Sequence, residues 1–241
     1  RLNLSSMKAS SLRKDDLRVE ATDRFGVTQA MGFSIKSELG QRSTLLNASG
    51  STNFCFKAVG LTDEDARELN ELTSLRKWLE GIMTRAHVVY DGMQSETFRH
   101  NLMFIDTRMD QMLAPALLRY YLGEARSIND LVDIVEKMNP CQLPESGIYR
   151  FKFKKFLLYV ALGMMPGRPW DGKEDATGGI VVKEDGGVIG YLLYDRNHFE
   201  EYLLRSTQLE TPSRSRHHYG SLFKKADGSW CFHLNLQVRF M

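Results

Sequence analysis

Asp16 opens a run in which Leu17, Val19 and Ala21 alternate with Asp16, Arg18, Glu20 and Thr22. After a turn near Asp23 to Gly26, Met31, Phe33 and Ile35 alternate with Gly32, Ser34, Lys36 and Glu38. Alternation of this period marks half-buried strands with one wet face. If the two runs form a hairpin turning near Phe25, Asp16 lies opposite Ser34 and diagonal to Lys36 on one face, about 5–8 Å apart. A carboxylate and an ammonium group at that spacing could hold one divalent cation and one phosphate. The carboxylate would take the metal, and the lysine would orient an attacking water or neutralise developing charge. Phosphodiester hydrolysis is the chemistry this arrangement serves. A register slip of one residue would put the groups on opposite faces, and Asp and Lys on the wet face of a hairpin are otherwise solvated charges. Glu20 and Glu38 share that face, but four residues of strand span about 13 Å, too far to share an ion with Asp16 or to reach Ser34.

The elements that must position these residues follow from periodicity. Leu61-Thr62-Asp63-Glu64-Asp65 reads as a helix cap with an acidic first turn, and helical spacing continues to about Tyr90. A second helical pattern runs from about Glu96 to Leu122, and Ser127 caps a third that stops at Asn139-Pro140. Ile180 to Tyr194 reads as a hairpin about Asp185-Gly186-Gly187, followed by a short helix through His198 to Arg205. From Trp230 the chain alternates through Phe232, Leu234, Leu236, Val238 and Phe240, with His233, Asn235, Gln237 and Arg239 on the opposite face, which predicts one long strand. A single composite α/β domain over 1–241 is expected, with a hairpin region at 1–60, a helical region at 61–162 and a β-rich region at 177–241.

Composition narrows the class. With 241 residues, 42% hydrophobic and 26% charged, the chain can bury a substantial core. Its net charge of +2 means that any polyanion-binding surface must arise from local clustering of Lys and Arg. Cys55, Cys141 and Cys231 are widely spaced, which argues against a disulfide framework or a zinc cluster and for a cytoplasmic setting. The apolar stretch Phe156 to Met165 is too short to span a bilayer, so a soluble protein without a membrane partner is expected. There is no Walker loop, no H-E-x-x-H and no G-x-S-x-G. Arg99-His100-Asn101 is read as helix surface.

Longer stretches carry a family resemblance. Gly32-Phe-Ser-Ile-Lys-Ser-Glu-Leu-Gly40, Thr44-Leu-Leu-Asn-Ala-Ser49 and Thr52-Asn-Phe54 resemble the core of the HpaII restriction endonuclease family. The similarity extends to Ile105-Asp-Thr-Arg108, Thr177-Gly-Gly-Ile-Val-Val-Lys183, Tyr191-Leu-Leu-Tyr194, Pro212-Ser213 and Leu234-Asn-Leu-Gln-Val-Arg-Phe240, and so covers most of the chain. The resemblance implies a PD-(D/E)xK nuclease core: a restriction-endonuclease-like mixed sheet flanked by helices, with β-hairpins at the carboxyl end. It also implies Mg²⁺ dependence and cleavage of a short double-stranded DNA site, CCGG for the type member. Asp16 then takes the role of the metal-binding aspartate and Lys36 that of the motif lysine, while Ser34 stands where an acid is usual. A hydroxyl is a poorer Mg²⁺ ligand than a carboxylate, so a second acid is needed from elsewhere. The superfamily often places one on a helix before the hairpin, and this chain, which begins at Arg1, is expected to lack that helix.

Three segments are candidates for DNA contact. Gln41, Arg42, Asn47, Ser49, Thr52 and Asn53 form a polar run after the second strand. Arg214, Arg216, His217 and His218 form a basic segment, and Asn235, Gln237 and Arg239 share a strand face with side chains suited to phosphates or base edges. A palindromic site would favour a homodimer, and a cognate DNA methyltransferase is expected as a genetic neighbour. The rival expectation is a non-catalytic DNA-binding protein with a degenerate nuclease fold.

Overall fold

The computed structural model describes residues 16–22, 26, 28–37, 43–145, 147–174, 176, 178–182, 188–192 and 196–241. In chain order its elements are β1 (Leu17–Thr22), β2 (Thr28–Ser37), β3 (Thr44–Leu46), β4 (Asn53–Val59), α1 (Asp63–Asn70), α2 (Leu75–Arg85) and β5 (His87–Met93). There follow α3 (Glu96–Met103), α4 (Met109–Tyr121), α5 (Ile128–Met138), α6 (Ile148–Leu162), β6 (Gly178–Val182) and β7 (Val188–Leu192). The chain closes with α7 (Arg196–Ser206), β8 (Thr207–Leu209), α8 (Arg214–His217), β9 (Leu222–Lys224), β10 (Trp230–Asn235) and β11 (Val238–Phe240).

Among the described residues the strands form three sheets, ordered β1-β2-β6-β7, β5-β4-β10-β9 and β3-β11-β8. The first is mixed. β1 and β2 are antiparallel, from Leu17 against Phe33 to Thr22 against Thr28, so the hairpin register is the expected one. β2 runs parallel to β6, from Phe33 against Gly178 to Ser37 against Val182, and β6 returns antiparallel to β7 as the expected hairpin. The other two sheets are antiparallel. This is the mixed α/β architecture, with strands at the carboxyl end, that the residue pattern predicts.

Two boundaries depart from the periodicity. The helix expected to reach Tyr90 breaks twice. Ser74 caps α2 by accepting from the Lys77 N–H, and Ala86 then turns extended. His87-Val88-Val89-Tyr90 pairs with β4, because β-branched and aromatic residues fit a pleated edge better than a helix. The long terminal strand also divides. Leu236 donates its N–H to the Thr52 carbonyl at 3.0 Å, and the chain passes from β10 to β11 in another sheet.

An apolar layer lies between β5-β4-β10-β9 and the helices α1, α2 and α4. Phe56 stacks on Phe232 at 5.3 Å and Trp78 meets Phe232 edge-on at 5.3 Å, all three fully buried. Each such ring contributes about 1.5–3 kcal/mol by leaving water. The mixed sheet is backed by α6 on β6 and α7 on β7, and α6 also packs on β3, tying that sheet to the third one. Lys155 of α6 and Arg196 of α7 both reach the buried Glu200, at 2.5 and 3.6 Å. Among the described residues no helix is long and apolar enough to cross a membrane.

Candidate functional site

The hairpin register carried one residue beyond Leu17 sets Asp16 across from Ser34. The Asp16 N–H donates to the Phe33 carbonyl at 2.7 Å, and the Ile35 N–H donates to Asp16 Oδ2 at 2.7 Å. The carboxylate thus takes the acceptor position that a further ladder carbonyl would fill, and one of its oxygens is held against β2 while the residue stays exposed. Lys36 follows in β2, paired with Val181 of β6. Ser34 is 2% exposed and its Oγ has no hydrogen-bond partner among the described residues, whereas Ile35 is 38% exposed. The expected wet and dry faces of this strand are therefore not those observed at these two positions.

A buried hydroxyl without a partner is unfavourable by about 1–3 kcal/mol, and the Asp16 carboxylate across the hairpin has one oxygen without a partner among the described residues. That donor set suits Mg²⁺ only in its usual enzymatic form, held by one or two protein oxygens with the remaining positions taken by waters and substrate phosphate. It does not form a protein cage: among the described residues no group of three or more His, Cys, Asp or Glu gathers to hold a metal. Glu38 lies outside the described residues, as do Gln41 and Arg42.

The remaining DNA-contact candidates are drawn together by the β3-β11-β8 sheet. Val238 pairs with both Leu46 and Leu209, so Asn47–Ser49, Gln237 and Glu210 all leave from the same end of that sheet. Behind this end lies a buried amide network. Asn235 Nδ2 donates to the Ser49 carbonyl at 2.7 Å and to Asn53 Oδ1 at 2.6 Å, and its Oδ1 accepts from Thr52 Oγ1 at 3.3 Å. Asn53 Nδ2 donates to Gln94 Oε1 at 2.8 Å and to the His217 carbonyl at 3.0 Å. The three segments, distant in sequence, are thereby fastened to one another.

The same geometry sorts the candidates. Thr52, Asn53 and Asn235 are fully buried and hydrogen-bonded to each other, so a base contact by any of them requires this network to open. Arg239 is paired with Glu210 at 2.8 Å, and Arg214 donates to the carbonyls of Thr73 and Gly220. Ser49 caps the 3-10 turn at Gly50–Thr52. Asn47, Arg216 and His218 are exposed, while Gln237 and His217 are half-buried. Burial, then the neighbouring Arg216 charge, holds the His217 pKa below its ordinary value, which favours the neutral ring. Gln94 had no signal in the sequence, because its partner is brought to it only by strand pairing. Asn101, expected on a helix surface, is instead buried. It donates to the Met165 and Arg168 carbonyls and accepts from the Trp170 N–H, pinning the loop after α6.

The mixed sheet flanked by helices, with further strands at the carboxyl end, is consistent with a restriction-endonuclease-like α/β protein. The profile of the HpaII restriction endonuclease family matches residues 1–240. The type II restriction enzyme HpaII of Haemophilus parainfluenzae is 38% identical over 247 residues, an alignment that takes in 100% of this chain and 69% of the relative. The chain belongs to the HpaII restriction endonuclease family. No solved structure matches it.

Proposed function

We propose that this protein hydrolyses phosphodiester bonds of double-stranded DNA at a defined, CCGG-like sequence in a Mg²⁺-dependent reaction. The observation that carries the reading is the hairpin register, which sets Asp16 opposite Ser34 with Lys36 two residues on. Asp16 would bind the cation through the oxygen not engaged by Ile35, and Ser34 would offer its unpaired hydroxyl as a second, weaker ligand. Lys36 acts at the scissile phosphate, orienting the attacking water or neutralising developing charge. Mg²⁺, when bound, lowers the pKa of a coordinated water and stabilises phosphate charge. The exposed Asn47 and Arg216, together with Ser49, His217 and Gln237, form the DNA-facing surface. A two-fold homodimer matches a palindromic site, and a cognate methyltransferase would protect cytoplasmic host DNA.

Plasmid DNA incubated with the protein and Mg²⁺ is expected to give discrete fragments, and Asp16→Ala is expected to abolish them while duplex binding persists. Duplex binding without cutting by the unaltered chain would overturn the catalytic assignment in favour of a DNA-binding protein with a degenerate nuclease fold. The absence of a three-ligand cluster among the described residues is the observation that keeps this second reading in play.

A further inference from the structure

A cleft of about 290 Å³ opens between the amino end of α2 and the carboxyl end of α4, with Arg76, Tyr120, Tyr121, Arg126 and Thr211 among its lining residues. It adjoins the fastened loops. The Tyr121 hydroxyl donates to the Asn235 carbonyl at 2.9 Å, Tyr120 and Thr211 share a hydroxyl hydrogen bond of 2.9 Å, and the Leu209 N–H donates to the Arg126 carbonyl at 3.0 Å. We propose that this cleft holds a backbone phosphate of the DNA duplex, with Arg126 as the principal binding group and Arg76 as its companion. The proposal rests on the reading of the chain as a DNA-cleaving protein.

Charge is the first reason. Arg126 is exposed and forms no ion pair among the described residues. Two carboxylates of the adjoining segments are held by other arginines, Glu124 by Arg119 at 2.7 Å and Glu210 by Arg239 at 2.8 Å. Arg76 meets Glu80 through Nε, and its Nη1 lies over Gly123, where a built Cβ would stand 3.2 Å away. Gly123, at φ +77°, therefore leaves room for a guanidinium that a side chain would crowd. A guanidinium with uncommitted N–H groups is suited to forked recognition of phosphate.

Stiffness of the walls is the second reason. The Tyr120 and Tyr121 rings pack edge-on at 5.0 Å, and both hydroxyls have protein partners, so the cleft is preformed. Placement is the third. Arg126 joins the outer edge of β3-β11-β8 beyond β8, about three strand spacings, or roughly 14 Å, from β3. Phosphates of one strand advance about 3.4 Å each along the duplex axis, so a duplex laid along this line carries about four of them over that span. A duplex resting on Asn47 and Gln237 thus reaches the cleft with its backbone, and a phosphate contact there fixes register without reading sequence.

The test is the salt dependence of binding to a short duplex carrying CCGG, without divalent cation so that nothing is cut. Arg126→Ala is expected to reduce the slope of log K against log salt by about 0.9 for the lost phosphate contact. Arg126→Lys should restore most of that slope, and the preference for CCGG over a scrambled duplex should be unchanged in both variants. An unchanged slope in Arg126→Ala, when the unaltered protein binds the duplex, would overturn the cleft assignment and leave the proposed function intact. So would a changed sequence preference with no change of slope. Failure of the unaltered protein to bind any duplex would instead sink the DNA-cleaving reading on which the proposal rests.

Discussion

Replacing Asn235 by alanine separates a buried fastener from a base-reading side chain, the two roles open to a polar residue in the closing stretch of this family's sequence. Asn235 is fully buried, and its amide meets Ser49, Asn53 and Thr52. In Asn235→Ala the Ser49 carbonyl keeps the Thr52 N–H at 3.1 Å and Thr52 Oγ1 at 3.0 Å. Asn53 Oδ1 loses the donor that it has at 2.6 Å. One buried acceptor left unpaired costs about 1–3 kcal/mol, and the lost hydrogen bonds add about 1 kcal/mol, so the fall in stability is about 2–4 kcal/mol. For a chain of this size each kcal/mol lowers Tm by roughly 2–4 °C, which gives a drop of about 5–15 °C in thermal unfolding followed by circular dichroism. Asn235→Asp should lose more at neutral pH, because one carboxylate oxygen would face two acceptors, the Ser49 carbonyl and Asn53 Oδ1, with only the Thr52 hydroxyl left to donate to the other. Asn53→Ala combined with Asn235→Ala should be non-additive by more than about 0.5 kcal/mol, since both remove the same bond. A Tm within about 1 °C of the unaltered protein, accompanied by a changed cleavage preference, would refute the fastening role and return Asn235 to the DNA surface.

Glu200→Ala should destabilise by roughly 3 kcal/mol, because Lys155 loses its buried partner at 2.5 Å while Arg196 keeps Glu174 at 2.6 Å. Glu200→Gln should cost less than half as much, and equal urea midpoints for the two variants would contradict this account. His233 packs on Phe223 at 4.8 Å, and burial, with a smaller contribution from the Lys225 charge, lowers its pKa despite a backbone hydrogen bond involving His218 that acts the other way. Its protonation therefore favours the unfolded chain. Stability should be constant above the ordinary histidine value, about 6.5, and decline as the pH falls from there through the lower folded value. His233→Gln should flatten this decline in melts between pH 7.5 and 5.5, and an unaltered slope would locate the effect elsewhere.

Local periodicity and capping chemistry were legible without coordinates. The alternating runs at Asp16–Thr22 and Met31–Lys36 marked the two strands of the first hairpin, and placing the turn near Phe25 gave the register that the strands adopt. Ser127 with Asp130 and the Asn139-Pro140 stop marked α5 because these residues satisfy or remove the backbone groups that a helix end leaves unpaired. What tertiary structure decided was which polar residues face outward. Asn53 and Asn235 read in sequence like Asn47, yet strand pairing and the departure of the chain at Leu236 bury the first two and leave Asn47 exposed. Ser34 was likewise assigned to a wet face and is buried, while Ile35, assigned to the dry one, is exposed. Arg76 and Arg126 lie far apart in the chain and share a cleft only because α2 begins beside the end of α4. Sequence thus determined the first hairpin and most helices, which depend on neighbours a few residues away, whereas the strand at His87–Met93, the division of the last strand, exposure and the joining of distant polar segments depend on packing between elements, which no local pattern encodes.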